Sequence, residues 1–355
     1  MAAYWGQNSY GQASGNLTQQ RLSYYCASML TYPNRIIPLA FMTAISDSTG
    51  HPQLNFANQG DKCTTFDGTQ LLNCPELATD IPLCQTQYNK TILLSIGGAT
   101  YTEGGFANAT AATTAADRIW SMFGPPPHTT NLTTPTPTTS TTAPVLRPFG
   151  TAQLDGFDFD FESPVTNISP FAQRLRSLMS AASATDNRTR LLTAAPQCPF
   201  PDAADDAFLS GPDAVAIDAV FVQFYNNYCG VQSFVPGASE QSNFDYGAWD
   251  TWARTEAVDS GVKVFVGVPA SATAAGSGYL PPANLAPVLE YVKGFGESFG
   301  GVMVWDASQA QANAGFLASV KKELVEIEEE SEAAEEESCG GYGGDRTRRG
   351  VEFRA

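Results

Sequence analysis

Short apolar runs of strand length, separated by spacers long enough for a helix, recur along most of this chain. RIIPLAFM (35–42), TILLSIGG (91–98), LDGFDFDF (154–161), RLLTAAP (190–196), AVFVQFY (219–225), KVFVGVP (263–269) and GGVMVW (300–305) are seven of them, and AAYW (2–5) supplies an eighth fragment. Strands that are apolar almost throughout, with helix-length spacers, read as parallel strands covered on their outer faces. Eight strand–helix units in roughly 320 residues predict a single (β/α)8 TIM barrel, an α/β fold. A doubly wound sheet is the alternative, but no GxGxxG follows the first strand and no P-loop appears. The first strand is the shortest, so the seam beside Tyr4 is expected to be the weak point of the barrel.

Between the strands, SPFAQRLRSLMSAAS (169–183) predicts a helix with Ser169 at its cap and Pro170 in the first turn. Phe171, Leu175, Leu178 and Met179 form its apolar stripe. ANLAPVLEYVKGFGES (283–298) predicts a second helix. Two segments fall outside this scheme. GPPPHTTNLTTPTPTTSTTAPVLRP (124–148) is a low-complexity Thr/Pro insert that cannot pack a core. It precedes the fourth strand, on the face of a barrel away from its active site. The catalytic domain is therefore expected to span 1–322, with an acidic, then Gly/Arg-rich, disordered tail over 323–355 and Cys339 unpaired.

Nine glutamates fall within 323–337, about half of the formal charge of −17, so the acidity mostly describes the tail. It still argues against a nucleic-acid partner, and no apolar run is long enough to span a membrane. The two histidines, His51 and His128, sit in turn-like, Pro-flanked contexts. They argue against a Ser-His-Asp triad or a His-rich zinc site, and leave carboxylates to move protons. Seven cysteines without CxxC spacing indicate disulfides with one left over. Six sequons, at Asn16, Asn89, Asn108, Asn131, Asn167 and Asn187, point with them to a secreted glycoprotein. The opening MAAYWGQ carries no charged n-region or apolar h-region, so this expectation rests on the cysteines and sequons.

One run breaks the apolar rule. In LDGFDFDFE, the acids Asp158, Asp160 and Glu162 alternate with Phe157, Phe159 and Phe161. Strand side chains alternate between faces, so the phenylalanines serve the helix layer and the acids climb the inside. Glu162 then emerges at the C-terminal end of its strand, where barrel enzymes place their chemistry. A solvated acidic face is the bland alternative, disfavoured by apolar neighbouring strands. Metal binding by Asp-x-Asp-x-Glu is another, though in-line residues on one strand are poor octahedral chelators. Crowded buried acids resist ionising together, so Glu162 is expected to hold its proton unusually high and to serve as an acid in glycoside hydrolysis. Asp155 has the parity of the phenylalanines and is expected to hold the strand.

DGFDFDFE matches the DGxDxDxE signature of glycoside hydrolase family 18, the chitinases. LLSIGGA (93–99) resembles that family's SxGG strand, and YWGQN (4–8), VQFYNN (222–227) and VMVWDAS (302–308) look like the class III, hevamine-type, fungal and plant members. The resemblance implies an endochitinase cleaving β-1,4 bonds between N-acetylglucosamine units, by a retaining, substrate-assisted mechanism, without cofactor or metal. Glu162 would be the general acid/base. Asp160 would orient the substrate acetamido group, supported from below by Asp158, and Tyr225 would hold the acetamido carbonyl oxygen. Trp305 would floor the sugar, with Tyr4, Gln7, Gln223 and Asn226 as lesser contacts. Ser95, Gly97 and Gly98 read as structural. The class pattern pairs Cys26 with Cys84, Cys63 with Cys74, and Cys198 with Cys229. The implied partner is chitin or its oligosaccharides, bound by a secreted or cell-wall monomer. Alternatives are a non-catalytic lectin or glycosidase inhibitor of the same fold, or an endo-β-N-acetylglucosaminidase acting on N-glycans.

Overall fold

The structure, a computed structural model, describes residues 1–27, 36–126 and 145–325. Most of the Thr/Pro insert, with Asn131, and the tail beyond residue 325, with Cys339, lie outside the described residues.

Among the described residues, eight parallel strands close into a barrel. They are β1 Ala2–Ala3, β2 Ile36–Ala44, β3 Thr91–Gly97, β4 Gly156–Asp160, β5 Leu191–Ala194, β6 Ala219–Gln223, β7 Lys263–Pro269 and β8 Phe299–Trp305. Each predicted apolar run overlaps one of them, β2 running two residues past its run and β8 starting one residue before. The seam closes: Ala2 pairs with both Met303 of β8 and Ile36 of β2. Beyond the short strand, Trp5 bridges to Leu39 and the Tyr4 amide donates to the Val304 carbonyl at 3.1 Å.

Helices among the described residues include α1 Leu22–Ala27, α2 Pro75–Gln87, α3 Ala109–Phe123, α4 Ile168–Asp186, α5 Asp206–Leu209, α6 Tyr246–Thr255, α7 Pro282–Lys293 and α8 Ala307–Ala312, with further helix over 316–325. Helix α4 starts earlier than its sequence suggests. Its N-cap is Asn167, held in the left-handed region at φ 56° while its amide donates to the Phe106 carbonyl at 2.6 Å. Ser169 therefore sits inside the first turn, where its hydroxyl bonds the Ala207 carbonyl. Ile168 and Ala172 join Phe171, Leu175 and Met179 on the buried stripe, and Leu178 lies at its half-buried edge. Helix α7 stops at Lys293, before Gly294, and a separate 3-10 turn covers Gly296–Ser298.

Period-2 alternation splits the core into two layers. Phe157, Phe159 and Phe161 point outward into the helix layer, all at most 1% exposed. There Phe159 packs against Phe171 of α4 and Phe208 of α5. A smaller cluster fills the lumen: Tyr4, Leu93, Phe221, Phe265 and Met303 are among its members. Phe221 meets Tyr4 and Phe265 edge-on. The floor beneath the inward acids is thus apolar and buried.

Three disulfides tie the loops among the described residues: Cys26–Cys84, Cys63–Cys74 and Cys198–Cys229, with S–S distances of 2.02, 2.06 and 2.04 Å. Asp155 anchors the start of β4, accepting the Ile92 amide at 2.9 Å and pairing with Arg188 at 2.7 Å.

Gly97 lets β3 approach β4 where the acids emerge. Its φ is +128°, and a Cβ there would lie 2.1 Å from the Asp160 carbonyl oxygen. Gly97→Ala combines a strained backbone with a backbone overlap, and is expected to destabilise the fold by about 2–5 kcal/mol. Urea unfolding midpoints measure this, and an unchanged midpoint would refute the close-approach role.

Candidate active site

Register puts a hydroxyl on each side of the lowest acid. Ser95 of β3 and Thr193 of β5 stand opposite Asp158 in the ladder. All three are fully buried. Ser95 donates to Asp158 Oδ2 at 2.7 Å, Thr193 to Oδ1 at 2.6 Å, and the Tyr4 hydroxyl to Oδ2 at 2.7 Å. One step up, Asp160 accepts a single side-chain bond, from Gln223 Nε2 at 2.8 Å. That same amide group also holds the Ala195 carbonyl at 2.9 Å. Glu162 follows just past the end of β4, exposed at the mouth, and its carboxyl receives no hydrogen bond from the described residues.

This gradient of donors sets where protons reside. Burial raises Asp158, but its three hydroxyl donors oppose the rise. Burial lifts Asp160 well above the carboxylate range, and the charges of Asp158 and Glu162 push the same way. The donors thus favour the charged form at Asp158 more than at Asp160, and the two acids titrate as a pair. Glu162 is also raised, by the loss of water on its protein-facing side.

Around this column stand the aromatics. Tyr225, 7% exposed at the end of β6, is held well above its usual value by burial first and by Asp160 and Glu162 next. Its backbone is pinned by Gly278, whose Cβ position lies 2.6 Å from the Tyr225 Cβ. Half-buried Trp305 ends β8, stacked on Phe41 with ring centroids 5.9 Å apart and tilted against Tyr4 at 5.6 Å. The next residue, Asp306, is buried and fixed by the Ser9 amide, the Ser308 hydroxyl and the Gln309 amide.

Four of the candidate contacts already hold polar groups of the barrel itself. Tyr4 is 2% exposed, so its ring offers no open face; its hydroxyl serves Asp158 instead. Gln7 turns its amide onto the Ala40 and Asn55 carbonyls, at 2.8 and 3.0 Å, and so braces the end of β2. Asn226 is exposed, but its side-chain oxygen accepts the Gly276 and Ser277 amides and clamps the loop after β7. Gln223 works on Asp160. These four share one feature: the amides and hydroxyls that suit a sugar also satisfy the barrel's own polar groups.

Ser95, which the sequence suggests is structural, and Thr193, for which it suggests no role, both hold Asp158. The signal was available, because both are hydroxyl residues on the inward parity of apolar strands. Asp306 and the buried Asp202 were not singled out.

A lumen acid column rising to an exposed carboxyl at a barrel mouth suits a glycoside hydrolase, which needs an acid open to its cleft. The family model for glycosyl hydrolases family 18 matches residues 1–280, and the chain belongs to that family. Among curated proteins it is 48% identical to a class III chitinase of Arthroderma benhamiae, over 81% of this chain and 82% of that one. It is 44% identical to endochitinase 33 of Trichoderma harzianum, over 91% of each. Among solved structures, a xylanase and alpha-amylase inhibitor protein from Scadoxus multiflorus superposes with a TM-score of 0.64 at 28% identity, covering 90% of this chain and 96% of that one. A chitinase from Ipomoea carnea has the same fold, with a TM-score of 0.64 at 24% identity, over 91% of this chain and 98% of that one.

Proposed function

We propose that this chain is a chitinase that cleaves β-1,4 bonds between N-acetylglucosamine units with retention of configuration. The observation that carries the reading is the graded acid column: three donors on Asp158, one on Asp160 and none on Glu162 among the described residues.

Glu162, raised in proton affinity and open to the cleft, gives its proton to the glycosidic oxygen. The acetamido carbonyl oxygen of the substrate attacks its own anomeric carbon as the leaving sugar departs. Positive charge spreads over the new oxazoline ring, and its N–H meets Asp160. Asp160 passes its proton toward Asp158 and meets that charge as an anion. Tyr225 holds the acetamido oxygen in place, and the indole of Trp305 forms the apolar floor. Glu162, now a base, takes a proton from the water that opens the ring. The product keeps its anomeric configuration.

The disulfides fit an oxidising, extracellular compartment. Among the described residues no helix is long and apolar enough to cross a membrane.

The direct test uses N-acetylglucosamine oligomers, with product lengths and anomers resolved. Expected are shorter N-acetylated oligomers born as the β anomer, with no cleavage of oligomers deacetylated at the reacting sugar. Equal cleavage of cellulose oligomers, or cleavage confined to a high-mannose glycoprotein, would overturn the assignment.

A further inference from the structure

Behind Asp160, the segment after β5 carries two more buried carboxyls in opposite surroundings. Asp202 is 7% exposed; one oxygen accepts the Ala204 amide at 2.7 Å and the other the Gln197 amide at 2.5 Å. The Asp205 amide also serves it. Asp205 itself is fully buried, and neither of its carboxyl oxygens has a partner among the described residues. A carboxylate that collects backbone N–H groups keeps its charge, while a buried carboxyl given none keeps its proton. Burial lifts both, but the amides pull only Asp202 back.

A chain of contacts links Asp202 to the catalytic column. The Gln197 backbone it holds pairs with Gln223 as a parallel bridge, and the Gln223 amide nitrogen donates to the Pro196 carbonyl at 2.8 Å. The Gln223 side chain then reaches Asp160. The Gln197 side chain accepts Asn227 Nδ2 at 3.0 Å, fixing the segment just beyond Tyr225.

We propose that Asp202 and Asp205 form a second acid pair that serves the first. Asp202 is a positioning residue and a fixed negative charge: it locks Gln197, hence Gln223, against Asp160 and raises the affinity of Asp160 for its proton. Asp205 stays neutral, so the pair adds one charge to the site and not two. The other groups facing Asp160 are Asp158 from β4 and Glu162 just past its end, Tyr4 just past β1, and Gln223 at the end of β6 with Tyr225 beyond it. Asp306 lies beyond Tyr225, and Asp206 beside Asp202. No arginine or lysine pairs with any of these acids among the described residues, so nothing replaces a charge removed there.

The role of Asp202 rests on the chitinase reading; the protonation of Asp205 does not. Asp202→Asn keeps the shape and an amide-accepting oxygen but removes the charge. Protons then leave Asp160 more easily. The pH profile of kcat/KM on N-acetylglucosamine oligomers is expected to move to lower pH by roughly half a unit, a factor of about three in proton affinity. A folded variant whose profile superposes on the wild type would overturn the proposal.

Asp205→Asn supplies a readout free of activity, and stands in if Asp202→Asn fails to fold. An acid whose affinity is raised by folding stabilises fully below its unfolded value, near 3.9, and loses that contribution as pH rises. Removing it is therefore expected to raise the melting temperature at pH 8 relative to wild type and not at pH 4. An equal change at both pH values would mean that Asp205 does not carry the proton, and would overturn the pair. A wild type inactive on every N-acetylglucosamine oligomer would instead strike the chitinase reading, leaving this thermal comparison intact.

Discussion

Glu162→Gln is expected to lose roughly three orders of magnitude in kcat, about 4 kcal/mol in the barrier, while still binding an N-acetylglucosamine oligomer. Glutamine matches the shape of the acid but has no proton to give to a leaving oxygen. The substitution disturbs little else. Glu162 is exposed, and its carboxyl receives no hydrogen bond from the described residues, so no buried donor is stranded. Asp158 keeps its three hydroxyl donors and Asp160 its bond from Gln223. The loss therefore belongs to the transition state and should appear in kcat with KM nearly unchanged. Reducing-end release gives the rate, and calorimetric titration of the inactive variant gives the affinity. Retention of a tenth of the turnover would remove Glu162 from the role of acid. Loss of binding in step with activity would make it a ligand for the sugar instead.

Much of this site could be read from the chain because its two requirements obey the same period. Phe157, Phe159 and Phe161 must meet helices while Asp158 and Asp160 must not, and only a strand with both faces buried accommodates that. Long apolar runs such as KVFVGVP likewise admit few placements. What the sequence left open depends on contacts between strands. Nothing local to Thr193 says that it faces an acid; that follows from its register opposite Asp158. Tyr4 and Gln7 belong to a motif that resembles a sugar-binding edge, yet their polar atoms are taken by Asp158 and by the Ala40 and Asn55 carbonyls. The start of α4 moved for a similar reason, since the Phe106 carbonyl recruits Asn167. Polar side chains choose partners in three dimensions, whereas apolar ones need only a side.

Asp160→Asn is the sharper probe of how the acids share their work, with an expected loss of about a hundredfold or more in kcat. In the proposed mechanism Asp160 carries the proton in the free enzyme, in keeping with three donors on Asp158 and one on Asp160. Asparagine imitates that neutral state and can still accept the Gln223 amide, so folding and substrate binding should survive. It cannot become an anion when positive charge appears on the acetamido-derived ring, so the deficit falls on kcat and not on KM. Asp158→Asn should behave differently. It replaces an acceptor-only carboxylate with an amide among three buried hydroxyls, so stability and activity should fall together. The pair of variants thus separates a charge that must appear during the reaction from a buried acceptor that must take up the proton Asp160 releases. If Asp160→Asn were as unstable as Asp158→Asn, or if it kept wild-type kcat with a raised KM, the proton would not sit on Asp160 and the order of the column would be inverted.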